Sequence, residues 1–442
     1  MDLSKENIQA AYRIADKLRQ NGHTAYFAGG CVRDFLMNKE PEDVDIATSA
    51  HPEQVELLFR KTIPVGKQFG VILVLENNKP FEVATFRTEG GYVDGRHPGH
   101  ISFSVPEEDA RRRDFTVNGL FYDPFSKKIL DYVGGQEDLK GKRIRAIGKP
   151  EERFAEDKLR LLRAVRFASS LGFEIEPDTW DAVRKNSSVI TQVSPERIRD
   201  EIVKIFTRPN PARGLDLLSE SGLLKEILPE IENMKGVEQS PDYHPEGDVY
   251  VHTRLLLEKL DHPSAVLALG ALFHDVGKPV TFQIKDGKIR FYEHAPIGGR
   301  MTRAIMKRLR FSGDEIDAVV QCVDNHMKFG DVQKMRSGKL KMFVCRPTFE
   351  TEMELHRIDC ASSHGLLDNY YFLKEKLKEY AREELKPKAF LNGHDLMALG
   401  MPAGPQMKVL LEDAYLLQLE SELKTKEESL EWARKEIKGK CR

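Results

Sequence analysis

The sequence predicts an α+β protein built from several domains. Its 442 residues exceed what one hydrophobic core usually holds. Residues 1 to about 140 alternate strand-like apolar runs, such as GVILVLE and FEVATFR, with helical stretches, and the pattern after them is helical. We therefore expect a first domain with a small mixed sheet, followed by all-helical regions.

Turn-forming residues and shifts in composition divide the chain into four predicted domains. These are a region of mixed strands and helices over 1–140, a helical region over 141–240, a helical region rich in His and Asp over 241–370, and a C-terminal helical region over 371–442. No internal repeat and no low-complexity tract interrupts this pattern.

Composition excludes several classes of protein. No apolar run approaches 18 residues and no basic-then-apolar N-terminus is present, so we expect neither a membrane span nor a secretory signal. The five cysteines are scattered and form no CxxC, which argues against a disulfide framework or a cysteine zinc site. A cytoplasmic location fits best. The net charge of −2 excludes a uniformly basic nucleic-acid coat.

The stretch GGCVRDFLMNKEPEDVDIAT, residues 29–48, contains two aspartates one residue apart. On a β-strand Asp43 and Asp45 share one face, where unpaired like charges repel. The run PFEVATFR offers Glu82 as a third carboxylate, and three such oxygen donors suit Mg²⁺. Taken alone, an Asp-x-Asp pair is more often a surface loop.

Two further motifs carry groups suited to a nucleotide. In RRRDFTVNGL, residues 111–120, adjacent arginines suit a triphosphate, and an Asp and an Asn suit ribose hydroxyls. In EDKLRLLRAVRF, residues 156–167, one helix would align Glu156, Arg160, Arg163 and Phe167 on one face. Leu159, Leu162 and Val165 would form its buried stripe. The alternatives are a charged helix cap and an ordinary surface salt bridge.

Positive charge is concentrated in residues 140–166. This segment carries ten Lys and Arg against four acidic residues, a surplus of six positive charges. A solvated helix face is the simpler interpretation of such a run. The alternative is a surface that binds RNA phosphates.

Histidine and aspartate recur on helical segments between residues 252 and 359. Imidazole and carboxylate ligands that converge from several helices form sites for Ni²⁺, Mn²⁺, Zn²⁺ or Mg²⁺. Each histidine taken singly is more often a core residue. The set consists of His252, His274, Asp275, His294, His326 and Asp359.

The order GGxVRD, DxD, RRDxxxN and EDxxR resembles the class II tRNA nucleotidyltransferase and bacterial poly(A) polymerase family. The segments YVDGRHPGHISF, DYVGGQEDLKGKRIRAIG and SPERIRDEIVKIF extend the likeness through nearly the whole chain. The resemblance implies a head with a five-stranded sheet of the polymerase-β type, then a helical neck, body and tail. It also implies template-independent addition of C and A to the 3′ end of tRNA from CTP and ATP, with release of pyrophosphate.

The resemblance also assigns roles to residues. Asp43 and Asp45 would bind Mg²⁺, with Glu82 as the third catalytic carboxylate. The residues implied in nucleotide binding are Gly29, Gly30, Arg33, Asp34, Arg112, Arg113, Asp114, Asn118, Glu156, Asp157, Arg160 and Arg163. Among them, Asp157 and Arg160 would act as a protein template for the base. The expected tRNA-contacting residues of the neck are Lys140, Lys142, Arg143, Arg145 and Lys149.

The pair His274–Asp275 followed by Val-Gly-Lys resembles the HD phosphohydrolase domain. There the resemblance implies a divalent metal such as Ni²⁺, Mn²⁺ or Mg²⁺ and hydrolysis of phosphomonoesters and 2′,3′-cyclic phosphates. The sequence beyond the HD-like region resembles the C-terminal part of the nucleotidyltransferase family, which contacts tRNA. No membrane and no obligate protein partner is expected.

Alternatives of narrower scope stay open at this point. They are an A-adding enzyme, a CC-adding enzyme and a poly(A) polymerase, and the motifs do not separate the first from full CCA addition. The intact stretch from Arg87 to Asp109 argues against a CC-adding enzyme. A different class would be an RNA-binding HD phosphohydrolase with an inert head, which the three intact carboxylates oppose.

Overall fold

The computed structural model describes residues 5–90, 100–241, 244–245, 247–380 and 387–440. Residues 91–99, which belong to the stretch from Arg87 to Asp109 and include all of YVDGRHPG, therefore lie outside the described residues. The chain forms two compact units, Met1–Glu232 and Asn233–Arg442. The predicted division into four domains stays a prediction.

The first unit opens with a mixed sheet of seven strands in the order β3-β4-β5-β2-β1-β8-β9. Strands β2 and β5 run parallel, and the other neighbours run antiparallel. The strands before residue 140 are β1 Ala25–Ala28, β2 Asp45–Thr48, β3 Thr62–Gly66, β4 Val71–Glu76, β5 Lys79–Thr85, β6 Arg87–Gly90, β7 His100–Phe103, β8 Leu120–Asp123 and β9 Lys128–Asp131.

The α+β class is confirmed, but the implied count of five strands is wrong. The apolar run HISFSV forms β7, which pairs with β6 in a separate ribbon. The sheet instead gains β3, β8 and β9. Strands β3 and β9 lie at the two edges, and most of their side chains are exposed or half-buried, so they lack the apolar alternation that identifies a strand.

Helices pack on this sheet and continue beyond it. Helix α1 places Ile8, Ala11, Ile14, Ala15 and Leu18 in the core against the sheet. The helices of the unit are α1 Glu6–Gln20, α2 Gly30–Leu36, α3 Pro52–Leu58, α4 Pro106–Arg112, α5 Gly135–Lys140, α6 Pro150–Glu156, α7 Arg160–Leu171, α8 Pro177–Lys185, α9 Pro195–Thr207, α10 Pro211–Glu220, α11 Leu223–Ile227 and α12 Pro229–Glu232. A short parallel strand pair, β10 Arg143–Ile144 and β11 Glu174–Ile175, lies among these helices.

Over its described residues, the second unit is helical apart from one β-hairpin, which the sequence pattern did not predict. Its elements are α13 Val249–Glu258, α14 Ala265–Phe273, α15 Lys278–Thr281, β12 Phe282–Lys285, β13 Lys288–Phe291, α16 His294–Arg308, α17 Gly313–Asn325, α18 Ser337–Val344, α19 Phe349–Ser362, α20 Asp368–Tyr380, α21 Gly393–Ala398, α22 Pro405–Leu419 and α23 Lys426–Lys440. Helix α14, AVLALGALF, is buried along most of its length and ends at Phe273, directly before His274. Among the described residues, no helix is both long enough and apolar enough to cross a membrane.

Candidate functional site

Strand register brings the three predicted carboxylates of the first unit together. Strands β2 and β5 pair in parallel with Ile46 opposite Val83, so Asp45 and Glu82, which precede them, lie side by side. Alternation along β5 leaves Glu82 exposed between two buried residues. Asp43 stands just before β2. All three line one cavity of about 340 Å³, which we call the carboxylate cavity.

The electrostatics of this cavity favour a cation. Asp45 keeps exposed surface as a residue, yet its carboxyl is desolvated, and this burial together with the charges of Glu82 and Asp43 raises its pKa to about 6. Within the described part of the chain no salt bridge joins Asp43, Asp45 or Glu82 to a basic side chain. Three close, unneutralised oxygen donors fit a hard divalent ion such as Mg²⁺.

A second cavity, of about 400 Å³, adjoins Asp45; we call it the arginine cavity. It gathers ten of the twelve predicted nucleotide-binding residues and leaves out Asp34 and Glu156. Its lining consists of Gly29, Gly30, Arg33, Asp45, Glu89, Arg112, Arg113, Asp114, Asn118, Asp157, Arg160, Arg163 and Phe167. Asp45 is thus common to the linings of both cavities.

Asp114 is the centre of one hydrogen-bonded network in this cavity. It is buried, accepts a hydrogen bond from Asn118 Nδ2 at 3.1 Å, and accepts another from Arg163 Nε at 2.8 Å. Burial raises the pKa of Asp114, but the charge of Arg163 and these hydrogen bonds outweigh it and hold the pKa well below its usual value. Arg33 continues the network by donating to Asn118 Oδ1 at 2.6 Å and to Asp34 Oδ1.

The turn before helix α2 lets this network pack closely against the backbone. Gly29 has φ +71°, and a Cβ at that position would lie 2.9 Å from the Arg113 guanidinium. Any other residue would therefore be strained and would displace Arg113. The sequence identified this glycine, but its close approach to Arg113 is visible only in the structure.

Asp109 is a functional candidate that the sequence analysis missed. It is buried and holds two pocket arginines at once: Arg112 Nε lies 2.8 Å from Oδ1, and Arg113 Nη2 lies 3.1 Å from Oδ2. Burial raises the pKa of Asp109, but both arginines lower it, and the net shift is downward. Glu89, also missed, binds Arg112 Nη1 at 2.9 Å. Glu107, Glu108 and Asp109 all stand shortly before RRRD, and the sequence alone does not show which of the three side chains is buried.

The stretch EDKLRLLRAVRF is not the single helix that the sequence predicts. Helix α6 ends at Glu156, Asp157 has an extended backbone, and helix α7 begins at Arg160. Asp157 Oδ1 accepts the Leu159 amide at 3.1 Å, while Arg197 holds Oδ2 at 2.9 Å. The break occurs because these two bonds fix Asp157 outside a helix.

The ion pair expected in this segment is nevertheless formed. Arg160 Nη1 lies 2.9 Å from Glu156 Oε2, and the same guanidinium donates to the backbone carbonyls of Arg153 and Arg112. Arg160 and Asp157 both line the arginine cavity. Arg197, on helix α9, is a missed neighbour that lies within the segment SPERIRDEIVKIF.

The basic run 140–166 does not form one positive surface. Arg160, Arg163 and Arg166 are turned inward, and Arg166 is paired with buried Glu201 at 2.7 Å. Of the five predicted RNA contacts, Lys140, Lys142 and Lys149 are exposed, whereas Arg143 and Arg145 are half-buried and bind Asp138. Lys149 forms an exposed pair with Glu152.

In the second unit the predicted His and Asp residues converge on Asp275. Its Oδ1 lies 3.6 Å from His294 Nε2 and 3.8 Å from His326 Nε2, and those two nitrogens are 3.2 Å apart. Its Oδ2 lies 3.0 Å from His274 Nε2 and 4.0 Å from His252 Nε2. All five side chains are buried. We call this group, with Asp359, the HD cluster.

Backbone carbonyls fix the tautomers of three of these rings. The Nδ1 atoms of His274, His294 and His326 lie 2.9, 2.9 and 2.7 Å from carbonyl oxygens three residues earlier in the chain. A carbonyl only accepts, so each Nδ1 carries the proton and each Nε2 lone pair is directed toward Asp275. Asp359 completes the set, with Oδ1 3.0 Å from His252 Nε2.

The charges of the HD cluster are those of a metal-binding site. Burial lowers the pKa of His326 to about 3 despite the nearby Asp275, and burial also lowers the pKa of His294, so both rings are neutral at pH 7. Burial raises the pKa of Asp275, but His274 and Lys278 hold it well below its usual value. No hydrogen bond from a described residue reaches Asp275 Oδ1. Neutral imidazoles and an ionised carboxylate fit a divalent transition metal.

Lys278 is a further residue of this cluster to which the sequence assigned no role. It is buried, and its Nζ lies 2.7 Å from Asp275 Oδ2. The sequence offered one indication of this contact. Lys278 follows Asp275 by three residues in the HDVGK motif, a spacing that brings side chains together in a helical turn.

Three models of known families match the chain. The poly A polymerase head domain matches residues 25–145, and the probable RNA and SrmB-binding site of polymerase A matches residues 172–235. The HD domain matches residues 244–360, a range that includes every member of the HD cluster.

Curated proteins of similar sequence are CCA-adding enzymes. That of Streptococcus pyogenes serotype M3 is 34% identical over 404 residues, which cover 86% of this chain and 97% of that protein. The serotype M5 protein is 34% identical over 406 residues, with 86% and 98% covered.

Two solved structures of similar fold are also CCA-adding enzymes. The Bacillus stearothermophilus CCA-adding enzyme in complex with CTP is 28% identical, with a TM-score of 0.75 over 99% of each chain. The Thermotoga maritima CCA-adding enzyme complexed with tRNA is 18% identical, with a TM-score of 0.55 over 99% of each chain, and shows the shared fold.

Proposed function

The chain belongs to the CCA-adding enzyme family, and from this membership we propose that it adds C and A to the 3′ end of tRNA from CTP and ATP. The observation that carries the proposal is the position of Asp45, which lines both the carboxylate cavity and the arginine cavity. A nucleotide held by the arginines would thus present its phosphates beside the carboxylates.

Asp43, Asp45 and Glu82 would hold Mg²⁺, since oxygen donors of this number suit that ion. When bound, the ion supplies positive charge that lowers the pKa of the tRNA 3′-hydroxyl and offsets the charge of the triphosphate. The raised pKa of Asp45 supports this assignment, because crowded carboxylates without a cation hold protons more tightly.

The arginine cavity would position the nucleotide for in-line attack. Arg112 and Arg113 would bind the triphosphate, while Asp114 and Asn118 would bind the ribose. The 3′-oxygen of tRNA would form a bond to the α-phosphorus as the bond to the pyrophosphate oxygen breaks. Pyrophosphate would leave, and the proton of the hydroxyl would pass to water. Because Asp109 already fixes both arginines, little reorganisation accompanies this step.

Asp157 and Arg160 would choose the base. A carboxylate accepts and a guanidinium donates, so together they offer the hydrogen-bonding groups that a Watson–Crick edge requires. Glu156 would orient Arg160, and Arg197 would orient Asp157. The tRNA itself would be bound through its phosphates by exposed side chains such as Lys140 and Lys142.

A second activity, metal-dependent hydrolysis of phosphate esters and 2′,3′-cyclic phosphates, is supported by the HD cluster. The three Nε2 atoms directed at Asp275, with Asp359 beside His252, would hold the metal, which when bound activates water and polarises phosphate. In the cyclic ester, water oxygen would bond to phosphorus, one ring P–O bond would break, and the freed oxygen would take a proton. Lys278 would hold Asp275 ionised.

The proposed addition can be tested with three transcripts of one tRNA, which end before CCA, after one C and after CC. Each is incubated with Mg²⁺ and labelled CTP, ATP or both, and the products are sized on a sequencing gel. Complete CCA on the shortest transcript is the expected result. Addition of A to the CC-ended transcript alone would identify an A-adding enzyme, and repeated A addition would identify a poly(A) polymerase. No addition to any transcript would reject the proposal.

A further inference from the structure

The hairpin β12–β13 of the second unit projects into solvent directly before the histidine that opens helix α16. Its two strands pair in antiparallel register through an Asp286-Gly287 turn, in which both residues have positive φ. Every residue of β12 is exposed. A two-stranded ribbon of this kind has no core of its own, so its composition reflects what it contacts.

The two faces of this hairpin differ in chemistry. Because side chains alternate along a strand, directly opposed residues share a face. One face is apolar, and the other carries three cations. The apolar face consists of Phe282, Ile284, Ile289 and Phe291, and the basic face of Gln283, Lys285, Lys288 and Arg290.

The apolar face begins at the HD cluster. The Phe291 ring packs edge-on against His294, with centroids 6.4 Å apart, and against Phe282, with centroids 6.0 Å apart. Lys278 Nζ, which binds Asp275, lies 5.3 Å from the centroid of the same Phe291 ring. A continuous aromatic strip therefore runs outward from the cluster.

The aromatic strip is exposed to solvent, and the three cations of the basic face have no acidic partner among the described residues. Phe282 is 38% exposed and Ile284 70% exposed. Lys285, Lys288 and Arg290 form no salt bridge with any residue that the structure describes. A protein partner would match the apolar strip, but three unpaired cations on the other face of the same narrow hairpin favour a polyanion that also carries aromatic bases. Single-stranded nucleic acid has both properties.

We propose that the hairpin binds the 3′-terminal nucleotides of a single-stranded RNA whose terminal phosphate enters the HD cluster. The last base stacks on the strip of Phe282 and Phe291, and the cations of the basic face attract the preceding phosphates. This inference rests on the proposed hydrolytic activity and names its substrate class, an RNA end with a 2′,3′-cyclic phosphate rather than a free small ester.

The test compares two short oligoribonucleotides that end in a 2′,3′-cyclic phosphate, one with adenine on the last ribose and one abasic there. With the full chain and Mn²⁺ or Ni²⁺, Phe282→Ala should raise KM for the adenine end roughly tenfold, with kcat unchanged, and leave KM for the abasic end unchanged. Phe282→Trp should restore the lower KM. Leu366→Ala, which truncates another exposed apolar side chain of the unit, is the matched control and should change neither.

The proposed attraction between the basic face and RNA phosphates is tested by varying the salt concentration. The triple variant Lys285→Ala, Lys288→Ala, Arg290→Ala should reduce the slope of log KM against log salt by roughly 2 for both ends, whereas exposed Lys339→Ala should leave it unchanged. An unchanged slope, or an equal effect of Phe282→Ala on both ends, overturns the inference while hydrolysis stands. Absence of hydrolysis of either end by the unmodified chain instead rejects the hydrolytic function, and the inference with it.

Discussion

The carboxylate cavity of the first unit and the HD cluster of the second are both candidate metal sites, but they differ in burial and in the direction in which the pKa of an aspartate is shifted. The cavity exposes three like-charged carboxylates, and the pKa of Asp45 rises to about 6. The cluster buries neutral imidazoles around Asp275, whose pKa is well below its usual value. Lys278 forms a salt bridge with Asp275 of the cluster, whereas no described basic side chain forms one with Asp43, Asp45 or Glu82 of the cavity.

This difference indicates how readily each site would exchange its metal. An open cavity of hard oxygen donors would exchange Mg²⁺ together with each nucleotide, since Mg²⁺ keeps part of its water shell. A buried cluster with fixed tautomers would retain a transition metal between turnovers. Addition and hydrolysis should therefore be separable by single substitutions in either unit.

The largest expected effect comes from a substitution in the first unit that should impair addition and spare hydrolysis. Asp45→Asn should reduce nucleotide addition by roughly a thousandfold or more, because it removes the carboxylate shared by both cavities, and should leave hydrolysis by the HD cluster intact. Both activities are assayed on the same preparation. Glu42→Gln removes a charge from the same cavity lining and should cost little, as Glu42 pairs with Arg208. Loss of both activities in Asp45→Asn would contradict the separation.

The converse substitution lies in the HD cluster. His274→Ala should reduce phosphoester hydrolysis by roughly a hundredfold and lower the metal content of the purified chain, while addition persists. Metal is measured by mass spectrometry after gel filtration. His262→Ala, at an exposed histidine of the same unit, is the control. Unchanged hydrolysis of a 2′,3′-cyclic phosphate in His274→Ala would remove the hydrolytic role from the cluster.

An intermediate effect is expected at Asp109. This buried carboxylate of the first unit holds Arg112 and Arg113 in place, as Lys278 holds Asp275 in the HD cluster. Asp109→Ala should lower the free energy of unfolding of its unit by roughly 3 kcal/mol, since two half-buried guanidinium groups lose a buried partner. It should also raise KM for CTP and ATP. Urea unfolding and steady-state kinetics measure both changes.

The neighbouring Glu108→Ala provides the matched control, since Glu108 pairs only with exposed Arg111 among the described residues. Its unfolding free energy should change by less than about 0.5 kcal/mol. Equal effects of the two substitutions would mean that Asp109 has no special role in holding the arginines.

The smallest expected effect is on the choice of base. Arg197→Ala releases Asp157 from its 2.9 Å contact and should reduce the preference for the correct nucleotide severalfold, with little change in tRNA affinity. Asp157→Ala should reduce that preference further. Competition between labelled CTP and ATP on the CC-ended transcript measures it, and unchanged selectivity in both variants would exclude a template role for Asp157.

Local sequence was enough to identify the α+β class and the family, both of which are confirmed. It also placed the carboxylates together, because period-two alternation and a neighbouring apolar strand are local properties. The residues of the HD cluster were predicted as a group from their order along helical segments, and the structure brings their side chains together. The stripe of Leu159, Leu162 and Val165 is buried as predicted, even though the helix before it is broken.

The tertiary structure alone decided which charged groups face each other across long stretches of chain. The Asp157–Arg197 contact spans 40 residues and breaks a helix that local periodicity predicts as continuous. The separation of 49 positions between Asp114 and Arg163 likewise hid the pair that turns part of the basic run inward. Edge strands joined the sheet without an apolar pattern of their own. In each case the deciding energy came from desolvated charges and backbone pairing between distant segments, which the periodicity of a single segment does not encode.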